Sequence, residues 1–255
     1  MIGCGNMAGQ MLRRWLDCGL DPSRVTVSRP SGKPVSDGVA VITAYPDALP
    51  CGTTVLLGMK PYQLAEVAAA LSPLLREDII IVSILAGTPI ADLRAAFPAA
   101  GAIVRAMPNL PVGLGQGVTA LHGDDAEGAV TALMAPLGLV ERIDQEALFN
   151  EVTALSGCGP AFLFRFIDAL ARAGEAIGLP ADQAARMALA TVQGAANMAG
   201  GADVGPAALA DRVASPGGMT REGLNVLDAD DRLVALLIDT LAAARDRGEA
   251  MARGH

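Results

Sequence analysis

A chain of 255 residues with 52% hydrophobic side chains is long enough for one or two domains around a sizeable core, which excludes a disordered protein. A net charge of −8 and an aromatic content of 3% argue against a nucleic-acid surface, which needs a basic stripe or stacking platforms. Two histidines, and four cysteines without a C-x-x-C pair, argue against a structural metal site. The longest apolar runs, such as 79–91, are short and interrupted by Gly and Pro, and no basic start leads into an apolar stretch, so a cytoplasmic protein without a membrane span is expected.

The chain opens Gly3-Cys4-Gly5-Asn6-Met7-Ala8 and runs into an amphipathic stretch carrying Met11, Leu12, Trp15 and Leu16 that closes at Gly19. This is the pattern of a dinucleotide-binding turn. Gly3 suits the tight turn, Gly5 lets a pyrophosphate approach the backbone, Asn6 and Met7 begin the helix, and Ala8 takes the small position where helix packs on sheet. A strand over 25–28 follows at βαβ spacing. Such a turn normally follows a central strand of about five residues, whereas Met1 and Ile2 alone precede Gly3, so the first strand is expected to be curtailed in this numbering.

Where an NAD site carries an acidic residue, this chain reads Ser28-Arg29-Pro30-Ser31-Gly32-Lys33. Two cations and two hydroxyls suit a 2′-phosphate, which makes NADPH the expected cofactor, with NADH as the alternative. A solvated basic loop fits the same residues.

Strands expected at 54–58, 79–85, 102–106 and 117–121 alternate with helices over 62–74 and 90–97, an α/β pattern with a mainly parallel sheet. Gly58-Met59-Lys60-Pro61, Ser83-Ile84-Leu85-Ala86-Gly87 and Arg105-Ala106-Met107-Pro108-Asn109-Leu110-Pro111 lie at carboxyl ends of strands, where ligands sit in open sheets. Lys60, Pro61, Ala86 and Asn109 are therefore candidate cofactor contacts, Asn109 through a carboxamide such as that of nicotinamide. Lys60 also reads as a surface charge.

From about residue 144 helices take over, at 160–177, 182–199, 207–213, 220–228 and 231–252. The division is a dinucleotide-binding domain over 1–145 and a helical dimerisation and substrate-binding domain over 146–255. Ser156-Gly157-Cys158-Gly159-Pro160 reads as a turn that opens the first helix and as a further contact to cofactor or substrate. Phe162, Phe166, Leu170 and Ile177 form one stripe of that helix. The next is dense in Ala and Gly, and a bundle so short of bulky residues suits half of a subunit interface, although an alanine-rich core helix would look similar.

The segment 213–228, VASPGGMTREGLNVLD, sets Ser215 and Thr220 on either side of a Pro-Gly-Gly turn that opens a short helix. Gly217 and Gly218 leave backbone N–H groups free to meet a small anion, with the helix dipole behind them. Thr220 is expected at or beside the N-cap, and a capped helix after a turn accounts for the same residues. His255 is terminal, His122 follows the strand expected over 117–121, and the C-terminal half has no lysine, so no acid–base partner for an alcohol substrate stands out. A cyclic imine needs less help, because its nitrogen is basic enough to take a proton or a hydrogen bond.

With these residues assembled, the chain resembles the pyrroline-5-carboxylate reductase family along nearly its whole length. VASPGGMTREGLNVLD looks like that family's signature, supported by GCGNMA, GMKP, SILAG, RAMPN and ALSGCGPA. The resemblance implies a Rossmann domain followed by an all-α dimerisation domain, homodimers that in many members build decamers, and NAD(P)H-dependent reduction of 1-pyrroline-5-carboxylate to L-proline. It implies that Ser215, Gly217 and Gly218 hold the carboxylate beside Met219 and that Thr220 bonds the ring nitrogen. Gly3, Gly5, Asn6, Met7, Ser28, Arg29, Lys60 and Asn109 would serve the cofactor. Met219, Leu110, Cys158 and Phe162 depart from the usual pattern and bear on which ring is preferred. A reductase of another small imine or of a 3-hydroxy acid, and a cofactor-binding protein without turnover, are the alternative readings.

Overall fold

The computed structural model describes residues 1–125 and 127–252; His255 lies outside them. The chain falls into two compact units, one of Met1–Cys158 with the C-terminal residues from Ala244, the other of Gly159–Ala243.

In the first unit the elements run α1 (Asn6–Asp17), β1 (Thr26–Ser28), β2 (Ala40–Ile42), β3 (Thr54–Leu57), α2 (Leu64–Leu71), β4 (Ile80–Ser83), α3 (Ile90–Ala96), β5 (Ala102–Pro108), β6 (Gly117–Gly123), α4 (Ala129–Met134), β7 (Gly138–Arg142) and α5 (Phe149–Val152). β1 pairs parallel with β2, and β3, β4 and β5 pair parallel in sequence. β6 runs antiparallel to β5, and β7 parallel to β6. Ile2 bridges the two groups in parallel, to Ser28 on one side and Leu57 on the other. Its N–H donates to the Leu56 carbonyl (2.8 Å) and its carbonyl accepts from Gly58 (2.8 Å), while Gly3 N–H donates to Ser28 (2.8 Å). One bridging residue, Ile2, thus joins the two groups of strands, in the order β2-β1-Ile2-β3-β4-β5-β6-β7.

Alternation along the strands builds a core on each face, because successive side chains point to opposite sides. Val55, Leu57, Ile81 and Ile103 join Val67, Leu71, Leu93 and Phe97 on one face. Leu56, Val82 and Val104 join Ala8, Met11, Trp15 and Met134 on the other. The indole of Trp15 donates to the Leu133 carbonyl (2.7 Å), so its one polar atom is satisfied.

Sequence periodicity did not disclose β2, β7 or α4, and the helix expected over 62–74 is trimmed to α2 between two 3₁₀ turns, Pro61–Gln63 and Ser72–Leu74. Prolines at the first or second position of each turn account for the trimming.

The second unit holds α6 (Gly159–Ala176), α7 (Ala181–Gly200), α8 (Pro206–Arg212), α9 (Met219–Leu227) and the start of α10 (Arg232–Ala252). A methyl at Gly174 would lie 3.3 Å from the Ala184 methyl, so α6 and α7 approach closely through small residues. The hydrophobic residues buried here, among those described, are Ala184, Ala188 and Ala214, whereas Phe164, Phe166, Met187, Leu236 and Ile238 face outward. A unit that hides alanines and shows its large side chains lacks a core of its own.

One expectation is corrected. Ser156-Gly157-Cys158-Gly159-Pro160 is no turn: α5 continues through a π-helical segment, Thr153–Gly157, towards α6. By length and composition alone the helical run Glu146–Ala176 meets the requirement for crossing a membrane.

Candidate functional site

The glycine turn lies where Ile2 ends. Gly3 has φ +80°, and a Cβ there would stand 2.9 Å from the Met59 nitrogen and 3.0 Å from the Gly58 carbonyl carbon and oxygen. Only glycine fits without displacing that backbone. Gly5 differs: its φ is −83°, and a Cβ on it would meet nothing within 4 Å. The space in front of Gly5 is open, and behind it α1 begins with no side-chain cap and no acidic residue in its first turn. Its first N–H groups, on Asn6 and Met7, and the positive end of its dipole are available to an anion.

Arg29 follows β1, with no ion pair among the described residues. Burial pushes the Cys4 thiol up, against the pull of the Arg29 guanidinium, which carries positive charge close to the glycine turn. Ser31 and Lys33 on the same loop are exposed. Ser28 is buried and donates its hydroxyl hydrogen to the Ala44 carbonyl (2.9 Å), so it retains acceptor capacity only. Lys60 and Pro61 are exposed after β3, and Ala86 is exposed after β4 beside Gly87 at φ +71°. These segments all follow carboxyl ends of parallel strands, the edge where doubly wound sheets bind nucleotides.

Asn109 follows β5 and is buried at 6% exposure. Its Oδ1 accepts from the Val118 N–H (2.8 Å) and its Nδ2 donates to the Ser156 carbonyl (2.9 Å). Its amide therefore binds protein at both ends.

Sequence reasoning missed a polar network behind this edge. Arg105, 7% exposed, pairs with Glu146 (2.7 Å), and the same carboxylate oxygen accepts from Ile90 N–H (2.7 Å) at the start of α3. The Arg105 guanidinium also lies 4.3 Å from the centre of the Phe149 ring. His122 packs edge-on to Phe149, and its Nδ1 is 2.7 Å from the Ile143 carbonyl, so it is a structural histidine. The signal available in the sequence was an arginine in the middle of an apolar strand, which demands a partner.

In the second unit Ser215, Pro216, Gly217 and Gly218 form a turn closed by Gly218 N–H on the Ser215 carbonyl (2.9 Å). Gly217 has φ +69°, with open space where a Cβ would be. Gly218 is the N-cap of α9, without a side-chain cap, so Thr220 is the second residue of the helix rather than its cap. Ser215 and Thr220 are exposed, and neither hydroxyl has a protein partner among the described residues. Met219 is 94% exposed, and Arg221 ties the helix start to α8 through Asp211 (2.8 Å). Open N–H groups, a helix dipole and two free hydroxyls are the parts of a carboxylate site.

Among the described residues no group of His, Cys, Asp and Glu is arranged to hold a metal ion.

Two family models match separate stretches of the chain. The family model described as "Pyrroline-5-carboxylate reductase dimerisation" matches residues 146–251, and the one described as "NADP oxidoreductase coenzyme F420-dependent" matches residues 1–87. The pyrroline-5-carboxylate reductase of Pseudomonas aeruginosa is 34% identical over 261 residues, covering 98% of this chain and 95% of its own. The structure of the Coxiella burnetii enzyme of that name is 30% identical, with a TM-score of 0.87 over 98% of this chain and 96% of that one. A Plasmodium falciparum pyrroline carboxylate reductase, solved with NADP bound, shares the fold at 23% identity, with a TM-score of 0.79 over 98% of this chain and 96% of its own. With a glycine turn before α1, an uncapped Pro-Gly-Gly turn before α9 and identity sustained over nearly its full length, the chain belongs to the pyrroline-5-carboxylate reductase family.

Proposed function

We propose that the protein reduces 1-pyrroline-5-carboxylate to L-proline with NADPH as the preferred donor and NADH as the lesser one. The observation that carries this reading is the Ser215–Thr220 turn, an uncapped helix start with two unpartnered hydroxyls in a member of this family. The substrate carboxylate would rest on the N–H groups of Gly217 and Met219, beside Gly218, whose own N–H closes the turn on Ser215, with the α9 dipole behind it and Ser215 Oγ donating to one oxygen. Thr220 Oγ1 would hydrogen-bond the ring nitrogen. A neutral hydroxyl does not protonate the imine outright; it orients and polarises it.

The pyrophosphate would approach Gly3, Gly5, Asn6 and Met7, and Arg29 the 2′-phosphate; Ser28, whose hydroxyl hydrogen is spent on Ala44, would accept from a ribose hydroxyl and not bond the phosphate. Lys60, Pro61 and Ala86 complete the edge that faces the cofactor, whereas the amide of Asn109 is already bonded to Val118 and Ser156. When bound, NADPH would supply the hydride that the C=N carbon accepts, while the nitrogen takes a proton from solvent to become the amine of proline. A 3-hydroxy-acid reaction would need an acid–base side chain, and His122 is committed to Ile143 and Phe149.

Residues 1–145 are assigned to the cofactor and 146–255 to dimerisation and substrate. The outward large side chains of α6, α7 and α10 support a homodimer that buries them, which also gives the apolar helix Glu146–Ala176 a protein environment. Assembly of dimers into a decamer is the finer proposal. Cys4, Cys18, Cys51 and Cys158 are all free thiols, which supports a reducing, cytoplasmic compartment.

Thr220→Ala tests the donor role. Imine reduction should slow by tenfold or more with NADPH affinity unchanged, and an unaltered rate would remove Thr220 from the mechanism.

A further inference from the structure

Pro160 creates a problem that Asn109 solves. In a regular helix the Ser156 carbonyl accepts from the N–H of residue 160, four positions on. Pro160 has no N–H, and a proline ring crowds the carbonyl four residues before it. The chain responds by widening: Cys158 N–H donates to Thr153 (2.8 Å), five residues back, in the π-helical segment Thr153–Gly157. The Thr153 and Ser156 hydroxyls return to the carbonyls of Phe149 (2.6 Å) and Val152 (2.8 Å). The Ser156 carbonyl, deprived of its regular donor, receives Nδ2 of Asn109 instead, across 47 residues of sequence. The other end of that amide is held by Val118 on β6.

We propose that Asn109 is a positioning residue for the reaction, acting through the π-helical segment rather than on the nicotinamide. This rests on the reductase reading above. The boundary between the compact units falls at Cys158, directly after the segment, so the Asn109–Ser156 bond orders the last residues of the first unit before the chain continues into Gly159–Ala243, which carries Thr220. π-Helical turns mark functional sites because they hold backbone in an arrangement a regular helix would erase.

The test is a double-mutant cycle in the full-length protein, reading kcat and KM for 1-pyrroline-5-carboxylate and NADPH affinity by fluorescence. Asn109→Ala should lower kcat at least tenfold while the NADPH Kd stays within twofold. Pro160→Ala restores the regular donor to Ser156, so Asn109→Ala combined with Pro160→Ala should recover most of the lost kcat. If Asn109→Ala does not fold, Asn109→Asp carries the same test, since it keeps the volume and the acceptor for Val118 while deleting the donor to Ser156. An NADPH Kd that rises in step with the loss of kcat would make Asn109 a cofactor ligand and overturn the proposal. So would an unchanged kcat, or a loss that Pro160→Ala leaves uncorrected. Absence of turnover in the wild type measured alongside would refute the reductase reading instead, and the coupling between positions 109 and 160 would still be read from melting temperatures.

Discussion

Adding one methyl group at either of two glycines of the same turn should do opposite things. At Gly3 the new Cβ must adopt φ +80° and stand 2.9–3.0 Å from the backbone of Gly58 and Met59. The left-handed conformation costs about 1–2 kcal/mol for alanine, and overpacking against backbone adds about 1–3 kcal/mol. Gly3→Ala should therefore lose about 3 kcal/mol, which for a chain of this size lowers Tm by about 6–12 °C. At Gly5 the backbone is already at φ −83° and the Cβ enters open space, so Gly5→Ala should melt within about 2 °C of wild type. Its methyl nevertheless occupies the volume through which the pyrophosphate is proposed to approach, and NADPH affinity should fall by about tenfold or more, about 1.4 kcal/mol. Thermal melts and NADPH fluorescence titrations on the two variants check both halves. Wild-type NADPH affinity in Gly5→Ala would refute the assignment of this turn to the phosphates, and an unshifted melt in Gly3→Ala would refute the packing.

Arg29→Ala should weaken NADPH by tenfold or more while changing NADH by less than threefold; equal weakening, measured by titration with both nucleotides, would mean that Arg29 does not read the 2′-phosphate. Glu146→Gln leaves the buried Arg105 charge unpaired, at a cost of about 3 kcal/mol in urea unfolding, and a change under about 0.5 kcal/mol would contradict the role given to that pair. Burial pushes the Asp125 carboxyl up, but hydrogen bonds from the Thr131 hydroxyl and from the N–H groups of Val130 and Thr131, with Arg142 nearby, outweigh it and hold the group below the usual carboxylate range. The unfolded chain therefore binds this proton more readily than the folded one. The stability Asp125 contributes is full above its unfolded value of about 3.9 and is lost as pH falls through the lower folded value. Asp125→Asn should flatten that part of the acid limb, and superimposable limbs would contradict the assignment.

The features legible in the sequence were those written in local pattern. Alternation through Val55, Leu56 and Leu57 announces a strand buried on both faces, and Gly3, Gly5 and Ala8 announce the turn because each spacing has its own steric reason. β2 was hidden because Ala40–Ile42 is three residues long in a region of Gly, Ser and Pro, and β7 because Gly138–Arg142 is an edge strand carrying Glu141 and Arg142. The position of Thr220 in α9 was off by the length of its cap, since Gly218 takes the N-cap and leaves both hydroxyls unused. Asn109 was the harder case. Its side chain fits a ligand-binding role equally well on paper, and its partner at Ser156 is brought to it only by the fold. The clue was Pro160, whose missing N–H obliges some other donor to serve the Ser156 carbonyl.

The most direct test of the account is to incubate the wild-type protein with NADPH and 1-pyrroline-5-carboxylate and to quantify NADPH loss and product together. The account predicts L-proline formed one for one with NADPH oxidised, faster than with NADH. NADPH binding without its oxidation, or oxidation without proline, would contradict it.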